Sequence, residues 1–135
     1  MFTHEHTIRV RYAETDQMGV VHHSSYVLYT EEARTEALRS LGVSYKNVED
    51  LGVAMPVHNM NFEFKKAAYY DDLLSIKTIL EELPTVRIKF RYEIYNQEKE
   101  LLTNAQVTLY FVDKTTSRPT RCPQYLIDVL VNSSQ

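Results

Sequence analysis

Residues 9–42 read "RVRYAETDQMGVVHHSSYVLYTEEARTEALRSLG", and the fold turns on a change of period inside this stretch. Along 3–13 the chain alternates. His4, His6, Ile8, Val10 and Tyr12 share one face, and Thr3, Glu5, Thr7, Arg9 and Arg11 share the other. Period two predicts a half-buried strand. Along 25–41 the period becomes helical. Tyr26, Tyr29, Thr30, Ala33, Ala37 and Leu41 fall on one side, and Glu32, Thr35 and Arg39 fall opposite. Ser24 or Ser25 can cap the helix start, and Gly42 stands where a C-terminal glycine belongs. Ala33 and Ala37 keep the apolar stripe slim, so a sheet can wrap closely around it. Between strand and helix lies a polar loop carrying Asp16, Gly19, His22 and His23.

Beyond residue 42, "SYKNVEDLG" reads as a short second helix ended by Gly52. Four strand-like runs follow, at 54–64, 73–82, 85–95 and 101–113. In the third, Val86, Ile88, Phe90, Tyr92 and Ile94 oppose Arg87, Lys89, Arg91 and Glu93, the cleanest alternation in the chain. Pro56 places the first of these runs at an edge or bulge. Residues 124–131 form a short amphipathic tail. One strand, a long helix and then a run of strands predicts α+β: one five-stranded antiparallel sheet wrapped around one long helix. Open sheet edges would then invite pairing with a second copy. No linker or repeat divides the chain, so a single domain over 1–135 is expected.

Composition narrows the function classes. Eighteen acidic and fifteen basic residues give a net charge of −3, with no long basic tract. That gives no support to nucleic-acid binding. The single cysteine, Cys122, permits no intrachain disulfide, which fits a reducing compartment. No apolar run reaches membrane-spanning length, and "MFTHEHTIRV" lacks a basic segment followed by an apolar one. No integral membrane segment is expected, and the expected location is cytoplasmic.

Each candidate residue has a plain structural reading beside a chemical one. Asp16 can simply close an Asx turn. It also stands just ahead of a helix, whose N-terminus offers unpaired N–H groups and the positive end of a dipole. Those groups can polarise a carbonyl while a nearby carboxylate attacks it or activates water. Gly19 would let backbone approach a ligand. Ser24 and Ser25 lack a G-x-S-x-G frame, so a serine triad is not expected. His4, His6, His22, His23 and His58 lack the spacing of a metal site, and none is assigned. Glu31, Glu32 and Glu36 read as a solvated helix face, with Glu31 pairing Arg34. Lys65 and Lys66 can meet phosphate or guard a sheet edge. Cys122 reads as inert.

The same 34 residues resemble the N-terminal motif of hotdog-fold acyl-CoA thioesterases, in the branch of 4-hydroxybenzoyl-CoA thioesterase and the Tol-Pal-associated acyl-CoA thioesterases. The matching positions are Asp16, Gly19, Val20, Val21, His23 and Tyr26, then Glu31, Ala33, Arg34 and Glu36. "KKAAYYDDLLSIKT" (65–78) is a second, supporting match. The resemblance spans essentially the whole chain. It implies that Asp16 is the catalytic carboxylate, as nucleophile or as base for water. It implies that the backbone N–H of His23 donates to the thioester carbonyl. It places Gly19, His22, Tyr26 and Lys66 against the substrate, with Lys66 toward a coenzyme A phosphate. It implies acyl-CoA, or acyl on acyl carrier protein, as substrate, with no cofactor beyond the coenzyme A the substrate carries. It also implies a homodimer, with dimers paired into a tetramer. The chain departs from the pattern at four places: His22 for Tyr, Ser25 for Asn, Ala67 for Pro and Tyr69 for a basic residue. An acyl-carrier-protein thioesterase and a non-catalytic acyl-binding hotdog protein stand as alternatives, with a dehydratase further off.

Overall fold

The strand that opens the chain stops four residues short of its expected end. The computed structural model describes residues 2–133, so the outermost residues of the expected 1–135 domain lie outside it. Strand β1 covers Phe2–Arg9, with even-numbered side chains turned inward. Val10 is still buried, but the chain then tightens into a 3-10 turn at Tyr12–Glu14. Tyr12 therefore leaves the face it shared with His4–Val10 and is 77% exposed.

Helix α1 follows at His23–Ser40 and α2 at Tyr45–Asp50. Two expected strands are each split by a short break. The run at 54–64 becomes β2 (Val53–Ala54) and β3 (Val57–Phe64) on either side of Pro56. Strands β4 (Leu73–Leu80) and β5 (Arg87–Tyr95) come next. The run at 101–113 becomes β6 (Leu101–Tyr110) and β7 (Val112–Asp113). The ends β2 and β7 pair with each other as a separate two-stranded ribbon. Helix α3 closes the chain at Gln124–Ser133 and buries Leu126 and Leu130.

The main sheet has five strands in the order β1-β4-β5-β6-β3, every neighbour antiparallel. The expected α+β plan is the one found. Strand β3 is an edge with a register shift between Val57 and Asn59, as Pro56 foretold. Helix α1 lies across β1 and β4. Ala33 and Ala37 are fully buried on its inner face, where their lack of bulk lets the helix approach β1 and β4, and Ile76, Ile88, Phe90 and Ile94 are fully buried in the core of the sheet. Each such Leu, Ile or Phe removed from water contributes about 1.5–3 kcal/mol before entropy is subtracted. No helix among the described residues is long and apolar enough to cross a membrane.

Two expectations about α1 fail for local reasons. Arg34 does not pair with Glu31 on the surface. It points into the core at 4% exposure, and its Nε donates to the Tyr45 hydroxyl at 3.1 Å. Glu32, opposite the buried stripe, instead meets the His6 ring of β1 at 2.6 Å. Nor does a serine cap the helix: His22 does.

Candidate active site

The polar loop is a tight hairpin. Thr15 bridges to Val21, the Asp16 N–H donates to the Val20 carbonyl at 2.8 Å, and the Gly19 N–H returns to the Asp16 carbonyl at 3.0 Å. Gly19 sits at φ +76°, the left-handed angle that follows the turn in hairpins of this kind. A Cβ there would meet nothing within 4 Å, so backbone angle rather than crowding demands glycine. The hairpin is moored to the sheet side. Val21 N–H donates to the Ala68 carbonyl at 2.9 Å, and Tyr70 N–H to the Gly19 carbonyl at 3.0 Å.

Asp16 stands at the hairpin tip, exposed. Its Oδ1 accepts from the backbone N–H of Met18 at 2.8 Å and of Val20 at 3.2 Å. The plain Asx-turn reading is thus correct for one oxygen. Oδ2 has no hydrogen-bond partner among the described residues. A carboxylate held by one oxygen and free at the other is oriented without being consumed by the fold.

The helix start is arranged around its histidines. His22 Nδ1 accepts from the Ser24 backbone N–H at 3.2 Å, with the Ser24 hydroxyl 2.8 Å away. An imidazole that accepts at Nδ1 carries its proton on Nε2. The Ser25 N–H returns to the His22 carbonyl at 2.9 Å. The His23 N–H, first in the helix, finds no acceptor among the described residues. The His22 and His23 rings lie 4.2 Å apart, both exposed.

Beside this helix start is an open cleft of about 280 Å³ walled by Val20, Val21, His23, Tyr26, Phe64 and Lys66. His23, Tyr26 and Lys66, three of the expected site residues, therefore share one wall. Asp16, Gly19 and His22 stand outside it, on the hairpin and cap that frame it. Tyr26 is buried, packs on Phe64 with ring centroids 5.1 Å apart, and burial pushes its phenol up from its ordinary value. Lys66 is already paired: its Nζ donates to Glu100 at 2.7 Å, so a phosphate would have to displace a carboxylate. Among the other large apolar residues, Tyr29 is buried and Phe62 and Met55 pack against the core. Met60 stands exposed on β3.

The other histidines are scattered. His4 and His6 face the helix from β1, and His58 stacks on Tyr110 at 4.2 Å. No group of three His, Cys, Asp or Glu converges among the described residues. Cys122 is 5% exposed, and burial pushes its thiol up to about 12, which makes it a poor nucleophile.

Glu14 is the residue that the sequence concealed. Its carboxylate collects the Arg11 N–H at 2.8 Å, the Arg11 Nε at 3.0 Å and the Tyr29 hydroxyl at 2.8 Å. Its carbonyl accepts the His22 N–H at 2.9 Å and the Ser25 hydroxyl at 3.2 Å. Burial opposes its charge, but the Arg11 N–H, the Tyr29 hydroxyl and the Arg11 guanidinium together hold its carboxyl below the usual carboxylate range. Only the Arg11-x-x-Glu14 charge pair hinted at this role, because Tyr29 lies fifteen residues away.

Residues 10–130 match the model of the thioesterase-like superfamily. The chain is 36% identical over 120 residues to the acyl-CoA thioester hydrolase YbgC of Escherichia coli O157:H7, covering 89% of this chain and 90% of that one. A solved DHNA-CoA thioesterase from Staphylococcus aureus superposes with a TM-score of 0.89 at 34% identity, over 99% of this chain and 90% of that one. Slr0204, a 1,4-dihydroxy-2-naphthoyl-CoA thioesterase from Synechocystis, shares the fold at a TM-score of 0.91 and 24% identity, over 99% of both chains. A hotdog sheet wrapped on its helix, a carboxylate-bearing hairpin at the helix mouth and these matches agree, and the chain belongs to the thioesterase-like superfamily.

Proposed function

We propose that this chain hydrolyses acyl-CoA thioesters to a free acid and coenzyme A. One observation carries the reading: Asp16 is fixed through Oδ1 by two backbone N–H groups, on a hairpin bonded directly to helix α1, and among the described residues neither its Oδ2 nor the first N–H of the helix has a partner. The acyl group lies against the cleft at the helix start. The His23 N–H donates to the thioester oxygen as negative charge develops there, with the helix dipole adding to it. Asp16 either takes a proton from the attacking water or attacks the carbonyl carbon itself, giving an anhydride that water then opens. The C–S bond breaks, and the thiolate of coenzyme A leaves and is protonated. Carboxylate and backbone donors suffice; the reaction as drawn uses no metal and no added cofactor. The names of the relatives support the substrate class.

The working unit in this reading is a homodimer, with dimers paired into a tetramer. Strand β3 is an open edge that presents Val57, Met60 and Phe64 to solvent. Phe64 also walls the cleft. A second sheet joined at β3 would cover that apolar surface and shut the open side of the cleft. Light scattering tests this directly, and a stable monomer at working concentration overturns it.

A panel of acetyl-, octanoyl-, palmitoyl- and benzoyl-CoA, mixed with protein and a thiol reagent, tests the activity. Release of thiol from at least one supports the assignment. No release from any, with turnover of the matching acyl carrier protein esters, moves the assignment to that class. Tight acyl-CoA binding without any release makes the chain an acyl-binding protein.

A further inference from the structure

We infer that Glu14 is a positioning residue for Asp16, the part that fixes the hairpin to the helix at one angle; the inference rests on the thioesterase reading above. Glu14 is a carboxylate with a side chain only 13% exposed. It sits where three pieces of the chain meet. From the end of β1 come the Arg11 N–H and guanidinium, and from the buried stripe of α1 comes the Tyr29 hydroxyl. From the helix cap come the His22 N–H and the Ser25 hydroxyl, both on the Glu14 carbonyl. Tyr29 is itself 3% exposed, so its hydroxyl is a fixed post rather than a floating contact.

The valence count explains why a carboxylate is needed. Oε1 accepts two donors and Oε2 accepts a third. A glutamine has one acceptor oxygen, and its NH₂ would confront either the Arg11 guanidinium or the Arg11 backbone N–H. Asp16 is two residues further on, past the Thr15–Val21 bridge. Its reach to a bound carbonyl, relative to the His23 N–H, is set by how the hairpin stem sits on the helix. A displacement of about 1 Å in such a geometry costs roughly 100-fold in rate. Glu14 touches no reacting atom in this scheme and acts through Asp16.

The test is steady-state kinetics of Glu14→Gln and Tyr29→Phe on whichever acyl-CoA of the panel turns over fastest, with amide hydrogen exchange on the same proteins. For Glu14→Gln, kcat falls about 10- to 100-fold while KM stays within about threefold. Tyr29→Phe, which removes one of the three donors, falls less, about three- to tenfold. Exchange of the Asp16–Val20 amides speeds up about tenfold in Glu14→Gln, with the middle of α1 unchanged. A merely structural role would loosen the whole helix and would not separate kcat from KM. A folded Glu14→Gln with kcat within twofold of wild type overturns the inference, as does exchange rising throughout α1. If Glu14→Gln does not fold, Tyr29→Phe decides, and kcat within twofold overturns it again. Asp16→Asn separates the two readings. If it abolishes turnover while Glu14→Gln does not, only the Glu14 role fails; if it leaves turnover intact, the catalytic reading fails and takes the Glu14 role with it.

Discussion

His22 Nδ1 accepts the backbone N–H of Ser24 at 3.2 Å, so a histidine does the capping that a serine or aspartate does in most helices. The consequence reaches the proposed chemistry. The cap occupies the Ser24 N–H and leaves the His23 N–H, one residue earlier, for a substrate oxygen. His22, one of the four departures from the family pattern, thus caps the helix with its ring and lies next to the proposed backbone donor. His22→Ala should cost about 1 kcal/mol, and lower Tm by roughly 4 °C. His22→Asn, which restores a side-chain acceptor, should recover most of it. Thermal denaturation of the pair checks this.

The hairpin makes a second demand. Gly19 holds φ +76° with open space around its Cβ position. Gly19→Ala should destabilise by about 1–2 kcal/mol through backbone strain alone. Gly19→Asn, which tolerates the left-handed region, should lose less. Chemical denaturation with an unchanged m-value is the measurement, because only the native loop is strained.

A third prediction concerns the core. The Arg34 Nε donates to the Tyr45 hydroxyl inside the protein. Tyr45→Phe leaves a buried charged donor without its acceptor and should cost about 1–3 kcal/mol. The substitution keeps the ring, so packing loss cannot account for the change.

Much of this architecture was legible. Period two marked β1, β3, β5 and β6, and the 3.6 period with two alanines marked α1 and its closeness to the sheet. What escaped depends on contacts that periodicity does not carry, some of them local and some distant in sequence. Tyr12 fits the β1 alternation, yet the turn closed by the Glu14 N–H on the Arg11 carbonyl at 3.0 Å swings it to solvent. Arg34 is spaced for a surface pair with Glu31, yet Tyr45 on the next helix offers it a hydroxyl in the core. In the site, the types and order of Asp16, Gly19 and His23 were readable. The role of His22 as cap was not, because Ser24 and Ser25 beside it are the commoner capping types; the engagement of Lys66 with Glu100 and the convergence on Glu14 were not, because they need partners that only the fold supplies.

Acid stability follows from Glu14. Against the opposing effect of burial, the Arg11 N–H, the Tyr29 hydroxyl and the Arg11 guanidinium hold its folded carboxyl below the usual carboxylate range. A depressed carboxyl contributes stability that is present above its unfolded pKa and is lost as pH falls through the lower folded value. Wild type should therefore lose stability below about pH 4.5, and Glu14→Gln should lose less over the same interval. A series of denaturation midpoints from pH 7 to pH 3 reads the difference.

Cys122 supplies an internal control. Burial pushes its thiol up, so little reactive thiolate is present near neutral pH. A disulfide reagent should label the native protein slowly and the denatured protein at once. Thiol release in the activity assay then reports coenzyme A rather than the enzyme.

The most direct measurement is the turnover of Asp16→Asn. Asparagine keeps Oδ1 as an acceptor for the Met18 and Val20 N–H groups, so the hairpin and Tm should be preserved. It removes the charge that, in the proposed scheme, attacks the thioester carbonyl or activates water. With the best acyl-CoA of the panel, thiol release should fall at least about 100-fold in a protein of unchanged fold. Turnover within a few-fold of wild type would contradict the assignment of Asp16, and with it the chemistry proposed for this fold.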